Sequence, residues 1–211
     1  MRTTISKEEL ATLPLREFDG HPVTVINVEQ AEIAVRQIRE ANCPVGFDTE
    51  TRPSFHKGEY HKVALVQLSV GKFCFLFRLN KIKGMPACLK ELLEDPAVIK
   101  VGLGTPDDIR NLNKWEPLEP EGFVELQQLA PSYGIEDKSL AKIYADVFGK
   151  RLSKKQQLTN WEADQLSFAQ QSYASLDAIS CVEIYQELTM NHQPMPAKMD
   201  QPSSNKKKSN K

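Results

Sequence analysis

Apolar residues along this chain recur with two different periods, and the switches between them mark out its elements. Residues 29–42, EQAEIAVRQIREAN, place Ala31, Ile33, Ala34, Ile38 and Ala41 at helical spacing, as in an amphipathic helix with one face on a core. Short runs rich in β-branched and aromatic residues surround it. HPVTVINV (21–28) precedes it, and PVGFDTE (44–50), KVALVQLSV (62–70) and KFCFLFRL (72–79) follow, each reading as a strand. Val70, Gly71 and Lys72 make the hairpin junction between the last two. PACLKELLED (86–95) predicts a helix with Pro86 suited to its first turn. IKVGLG (99–104) is a short buried strand, and TPDDIRNLNKW (105–115) begins another helix with Thr105 as N-cap and Pro106 at the first helical position.

Further on, FVELQQLA (123–130) reads as a strand running into a short helix or turn, and SLAKIYADVFG (139–149) as a helix stopped by Gly149. A polar, lysine-bearing loop (150–160) leads to Trp161. A long helix follows over 164–190, with Ala169, Tyr173, Leu176, Ile184 and Leu188 among its apolar positions. At the start, ISKEELATLP predicts one or two helical turns before Pro14. Three successive strands and then alternating strands and helices imply an α/β fold, a mixed sheet covered by helices. The expected organisation is an N-terminal extension (1–20), one domain (21–190) and a lysine-rich tail (191–211) whose Pro, Ser, Asn and Lys cannot pack and predict disorder.

Composition narrows the classes. At 211 residues, 40% of them hydrophobic and 26% charged, the chain can bury a globular core. No apolar stretch approaches the roughly 18–20 residues that span a bilayer, so no membrane partner is expected. MRTTISKEELATLPLREF has no apolar h-region, so no secretory signal is expected either. Cys43, Cys74, Cys88 and Cys181 are scattered in apolar surroundings without a CxxC pair, which suits reduced, buried thiols in a cytoplasmic protein better than disulfides or zinc. Net charge is −1, but the last eleven residues carry four lysines and no acid, so residues 1–200 hold 23 bases against 28 acids. An acidic body suits a polyanion binder only if bound divalent cations neutralise it locally.

Three groups of acids stand out against the apolar pattern. In PVGFDTE, residues two apart share a strand face, so Asp48 and Glu50 point together and away from Phe47. A strand end emerging into solvent would also place acids there, but the apolar residues before them suggest a central strand, and ligands bind beyond the carboxyl ends of such strands. In TPDDIRNL, capping of a helix start accounts for both Asp107 and Asp108, while the glycines of the preceding VGLG permit a close approach at that corner. In SYASLDAISCVEIYQEL, Tyr173 and Asp177 lie four apart on one helical face, and Asp177 interrupts a stripe continued by Cys181, Ile184 or Tyr185, and Leu188. A buried carboxylate there needs hydrogen-bond donors or a cation. Oxygen ligands without a His or Cys cluster favour hard ions, Mg²⁺ or Mn²⁺.

At these residues the sequence resembles the ribonuclease D and Werner-type 3′–5′ exonucleases, the DEDD superfamily branch with a tyrosine in its third motif. VGFDTETRPSF, KVGLGTPDDIRNL and YASLD match the three motifs in order, and VALVQLSV, FVELQQLA, KSLA (138–141) and NW (160–161) extend the likeness over residues 21–190. The resemblance implies an RNase H-like α/β sandwich with about five strands. It implies two Mg²⁺ or Mn²⁺ ions held by Asp48, Glu50, Asp108 and Asp177, with Tyr173 positioning the attacking water. The implied activity is release of nucleoside 5′-monophosphates from a DNA or RNA 3′ end. It further implies that Thr49 and Thr51 approach the terminal nucleotide; Arg52, Lys154 and Lys155 are candidates for backbone phosphates. Two departures are visible: Glu125 stands where an Asp is common, and the helical domains that follow the nuclease in ribonuclease D are not expected here. A non-catalytic nucleic-acid-binding module of the same fold, an RNase H-like endonuclease, and RNA 3′-end trimming as against DNA processing remain alternatives. Protein partners are left open.

Overall fold

A computed structural model describes residues 1–195. The lysines expected to form a disordered tail lie outside the described residues. Residues 191–195 do not behave as tail: the last helix runs through Asn191, and the Met195 N–H donates to the Ser132 carbonyl.

The sheet is built from β1 (His21–Val25), β2 (Val45–Thr51), β3 (Val63–Val70), β4 (Phe73–Arg78), β5 (Lys100–Gly102) and β6 (Phe123–Glu125), in the order β1-β4-β3-β2-β5-β6. β2, β3 and β4 pair antiparallel, whereas β1 joins β4, β5 joins β2 and β6 joins β5 in parallel. It is therefore a mixed sheet of six strands rather than five, with β2 well inside it. The period-2 pattern sends Val45 and Phe47 to one face, where α2 (Val28–Glu40) and α4 (Ala87–Leu93) cover them together with Leu68, Phe75 and Phe77. The opposite face carries Gly46, Asp48 and Glu50 and is covered by α8 (Phe168–Asn191), which packs across β2, β3, β4 and β5. The short α6 (Leu126–Leu129) follows β6, and α7 (Leu140–Phe148) lies beside α8 and ends at Gly149, whose φ of 65° is a glycine conformation. Among the described residues no helix is long and apolar enough to cross a membrane.

Several boundaries differ from the sequence reading for local reasons. The buried stripe of α2 is Ala31, Ala34, Val35 and Ile38, an i, i+3, i+4, i+7 set; Ile33 is 49% exposed and Ala41 lies outside the helix. α5 (Thr105–Leu112) is capped by Gly104 at φ 79°, so Thr105 is the first helical residue and Pro106 the second. α8 starts four residues late because Ser167 and Gln170 form a reciprocal capping box, and Ala169 is exposed on its first turn. A short helix, α3 (Leu79–Ile82), follows β4 where none was expected. The N-terminal helix is α1 (Lys7–Thr12), and Ile5 before it is buried, its N–H donating to Asp137 Oδ2 at 2.8 Å. All four cysteines are free, but only Cys74 and Cys181 are buried; Cys43 and Cys88 are partly exposed.

Candidate metal centre

Two glycines bring the acidic elements together. A Cβ at Gly46 would lie 1.9 Å from the Ala178 carbonyl oxygen and 2.3 Å from Ser69 Oγ. Only a residue without a side chain lets the α8 backbone settle onto β2 there. The contact places Asp177, the neighbour of Ala178, over Asp48, two residues beyond Gly46 on the same strand face. One carboxylate oxygen from each of Asp48, Glu50 and Asp177 accordingly falls within 4.8 Å of the other two. Gly102 acts similarly at the next corner: a Cβ there would meet Thr105 Cγ2 at 2.6 Å and the Phe47 carbonyl oxygen at 3.0 Å.

That corner delivers Asp108. Thr49 Oγ1 donates to Asp108 Oδ1 at 2.6 Å, tying the first turn of α5 to β2. Glu125 holds the same turn from β6: its Oε2 accepts from Thr105 N at 2.7 Å and from Thr105 Oγ1 at 2.9 Å. Asp107 points elsewhere, paired with Arg110 at 2.8 Å on the surface. Asp108 stands outside the tight trio, but its charge is felt by both Asp48 and Glu50.

The electrostatic consequence is severe. Burial, then Asp177, Glu50 and Asp108, push the Asp48 carboxyl well above its ordinary range. Burial, Asp177 and Asp108 raise Glu50 to about 9. Asp108 rises to about 7 through burial, opposed by the Thr49 hydroxyl and reinforced by Glu125 and Asp107. Asp177 also rises to about 7 through burial, against the pull of the Tyr173 hydroxyl and Lys154. The Tyr173 phenol is itself pushed up by burial and by Asp177 and Glu50. Carboxylates crowded like this hold on to protons unless a cation replaces them. Oxygen-only donors of this kind fit a divalent metal ion.

Asp48, Glu50 and Asp177 line a cleft of about 390 Å³ whose walls include Leu103, Gln127, Ser139, Leu140, Lys154 and Tyr173. Tyr173 lies on the same side of α8 as Asp177, and its ring is held 6.1 Å from that of the fully buried Trp161. Gln127, Ser139 and Leu140 received no role from the sequence; the FVELQQLA and KSLA matches were the signals near them. Of the proposed substrate contacts, Thr49 is engaged with Asp108. Thr51 follows a register shift in β2, and Arg52 pairs with Glu162 at 3.3 Å. Lys154 lines the cleft, whereas Lys155 lines an adjoining groove with Leu15 and Phe18.

A protein-family model described as 3′–5′ exonuclease matches residues 22–192. The mouse bifunctional 3′–5′ exonuclease/ATP-dependent helicase WRN is 35% identical over 184 residues, covering 83% of this chain and 13% of that protein. Exonuclease 3′–5′ domain-containing protein 2 of Drosophila melanogaster is 37% identical over 153 residues, covering 71% of this chain and 26% of that protein. The chain thus spans only a minor part of either relative. Escherichia coli RNase D superposes with a TM-score of 0.68 at 23% identity, over 78% of this chain and 43% of that one, a likeness that fixes the fold as RNase H-like.

Proposed function

The chain belongs to the 3′–5′ exonuclease family, and from that premise we propose that it hydrolyses phosphodiester bonds one at a time from a nucleic-acid 3′ end. The observation that carries the reading is the meeting of Asp48, Glu50 and Asp177 oxygens within 4.8 Å, with Asp108 tied beside them by Thr49. In this reading the four carboxylates hold two divalent ions, Mg²⁺ or Mn²⁺. When bound, such ions supply positive charge to the scissile phosphate and to its leaving oxygen.

The chain's own groups do the rest. Tyr173 directs its hydroxyl into the cleft and orients the attacking water. Burial keeps that phenol protonated, so it acts as a hydrogen-bonding guide rather than as a phenolate base. Water oxygen bonds to phosphorus, the bond to the O3′ of the upstream nucleotide breaks, and the freed O3′ takes a proton. The products are a nucleoside 5′-monophosphate and a strand shortened by one. Lys154, on the rim of the cleft, offers a cation to a backbone phosphate. Free cysteines suit a reducing, cytoplasmic setting for this activity.

The test is digestion of a 5′-labelled single strand with Mn²⁺. Asp48→Ala and Asp177→Ala should abolish a single-nucleotide ladder, and Tyr173→Phe should slow it on the order of 10²–10⁴-fold. Undiminished digestion by either acid variant refutes the assignment, and internal fragments in place of a ladder would make the enzyme an endonuclease. RNA and DNA run side by side assign the polymer.

A further inference from the structure

Just past Glu50 the chain leaves the sheet and makes a closed loop, residues 52–62, before re-entering as β3. Its two aromatic rings face water: Phe55 is 73% and Tyr60 89% exposed. Rings this open present their flat apolar faces to any partner able to stack on them. The loop also carries Arg52, Lys57 and Lys62 against the single acid Glu59, a basic segment on a chain of net charge −1.

The loop is not slack. Glu59 Oε2 accepts from the Phe55 N–H at 3.2 Å, and Glu59 Oε1 meets His61 Nε2 at 2.9 Å. His61 Nδ1 meets Glu162 Oε1 at 3.1 Å, and Arg52 donates to Glu162 Oε2 at 3.3 Å. Asn80 Nδ2 donates to the Glu162 carbonyl at 3.3 Å, so the network is rooted in the body of the domain. Gly58, at φ 88°, turns the tip, and the Glu59 N–H donates to the His56 carbonyl. Glu59 is thereby spent on holding the loop together, which leaves Lys57 and His56 exposed beside the rings. Phe55 is five residues past Glu50, so even a fully extended chain keeps it within about 18 Å of the acids.

We propose that the 52–62 loop is a stacking platform for unpaired bases of the strand whose 3′ end enters the carboxylate cleft, Phe55 and Tyr60 each taking a base and Lys57 the backbone. This rests on the exonuclease reading and deepens it, since it makes the substrate class a single-stranded 3′ tail. Stacking on exposed rings tolerates any base sequence, and neighbouring cations track the phosphates. A preformed platform loses little entropy when it binds.

The experiment measures binding of a single strand labelled at its 5′ end by fluorescence anisotropy without divalent metal, for the parent, Phe55→Ala, Tyr60→Ala and the double variant, with Tyr60→Trp as the ring-retaining control. Each lost ring should weaken binding at least about fivefold, and both together about 25-fold, while Tyr60→Trp binds as the parent does. Blunt duplex, which offers no unpaired base, should bind more weakly than tailed duplex, and the double variant should lose that difference. Equal binding of the single strand by the parent and the double variant overturns the proposal; so does a parent that prefers blunt duplex. Mn²⁺-dependent digestion of the same single strand at saturating concentration is scored separately: a parent that shows no metal-dependent shortening brings down the exonuclease reading and leaves the binding result to judge the platform.

Discussion

Metal binding to this site must expel protons, and their number follows from the crowding of its acids. Near pH 7 Glu50, raised to about 9, is protonated, and Asp48 is pushed up in the same direction by burial and three neighbouring acids. Asp108 and Asp177, both at about 7, are each half-protonated. Filling the site with cations should release at least about two protons near pH 7, from Glu50, Asp108 and Asp177, and fewer near pH 9, shared over the site as a whole. Calorimetric titration with Mn²⁺ in two buffers of different ionisation enthalpy gives the number directly from the difference in heat. Glu50→Gln should lower it by about one. The same protons set the sign of the stability profile. A carboxyl whose folded pKa is raised binds more protons folded than unfolded, so the metal-free protein should lose stability as pH rises from the ordinary carboxylate range towards 9. Added Mn²⁺ should therefore raise Tm most at the alkaline end. A release near zero at pH 7, or one that grows with pH, refutes the coupling of these four acids to a cation.

Three further outcomes are expected. Gly46→Ala should cost about 1–3 kcal/mol, read as a fall in Tm, and should weaken Mn²⁺ binding as well, because its methyl must displace α8 from β2; a variant with parental Tm and affinity shows that the helix yields freely. Lys100 is fully buried, donates to the Asp95 carbonyl at 2.7 Å, and is lowered by burial to about 8. The unfolded chain keeps that proton to higher pH, so parental stability should rise between about pH 8 and 10, and chemical denaturation of Lys100→Met should lack this rise. Asp146 on α7 is buried with neither carboxylate oxygen hydrogen-bonded, and burial and Asp137 raise it to about 6. Its contribution is lost as pH climbs towards 6, so Asp146→Asn should be more stable than the parent at pH 8 by about 1–3 kcal/mol; equal or lower stability there refutes the account.

The acids were legible because they break the rule around them. Asp48 and Glu50 end an apolar strand on one face, and Asp177 interrupts an inward helical stripe; neither position makes sense for a side chain that must shed water without a partner. Asp107 and Asp108 were not separable by pattern, since both suit a helix start. The motif match favoured Asp108, and space divides them, Asp108 taking the Thr49 hydroxyl while Asp107 turns to Arg110. Element ends were less legible because hydrogen bonds set them rather than hydrophobic period: the capping box at Ser167 starts α8 late, and a left-handed Gly104 shifts α5 by one residue. Gly46 was invisible for a deeper reason. A glycine inside a strand reads as a weakness, and its purpose lies in the backbone of a helix more than a hundred residues further on. Yet its place is what makes the acids a site. Because Gly46 and Asp48 share one strand face, the helix that touches the first must hang over the second, and the acid it carries there is Asp177. Separated by one side chain's thickness, the same acids would be ordinary, half-solvated carboxylates with little reason to bind a metal ion.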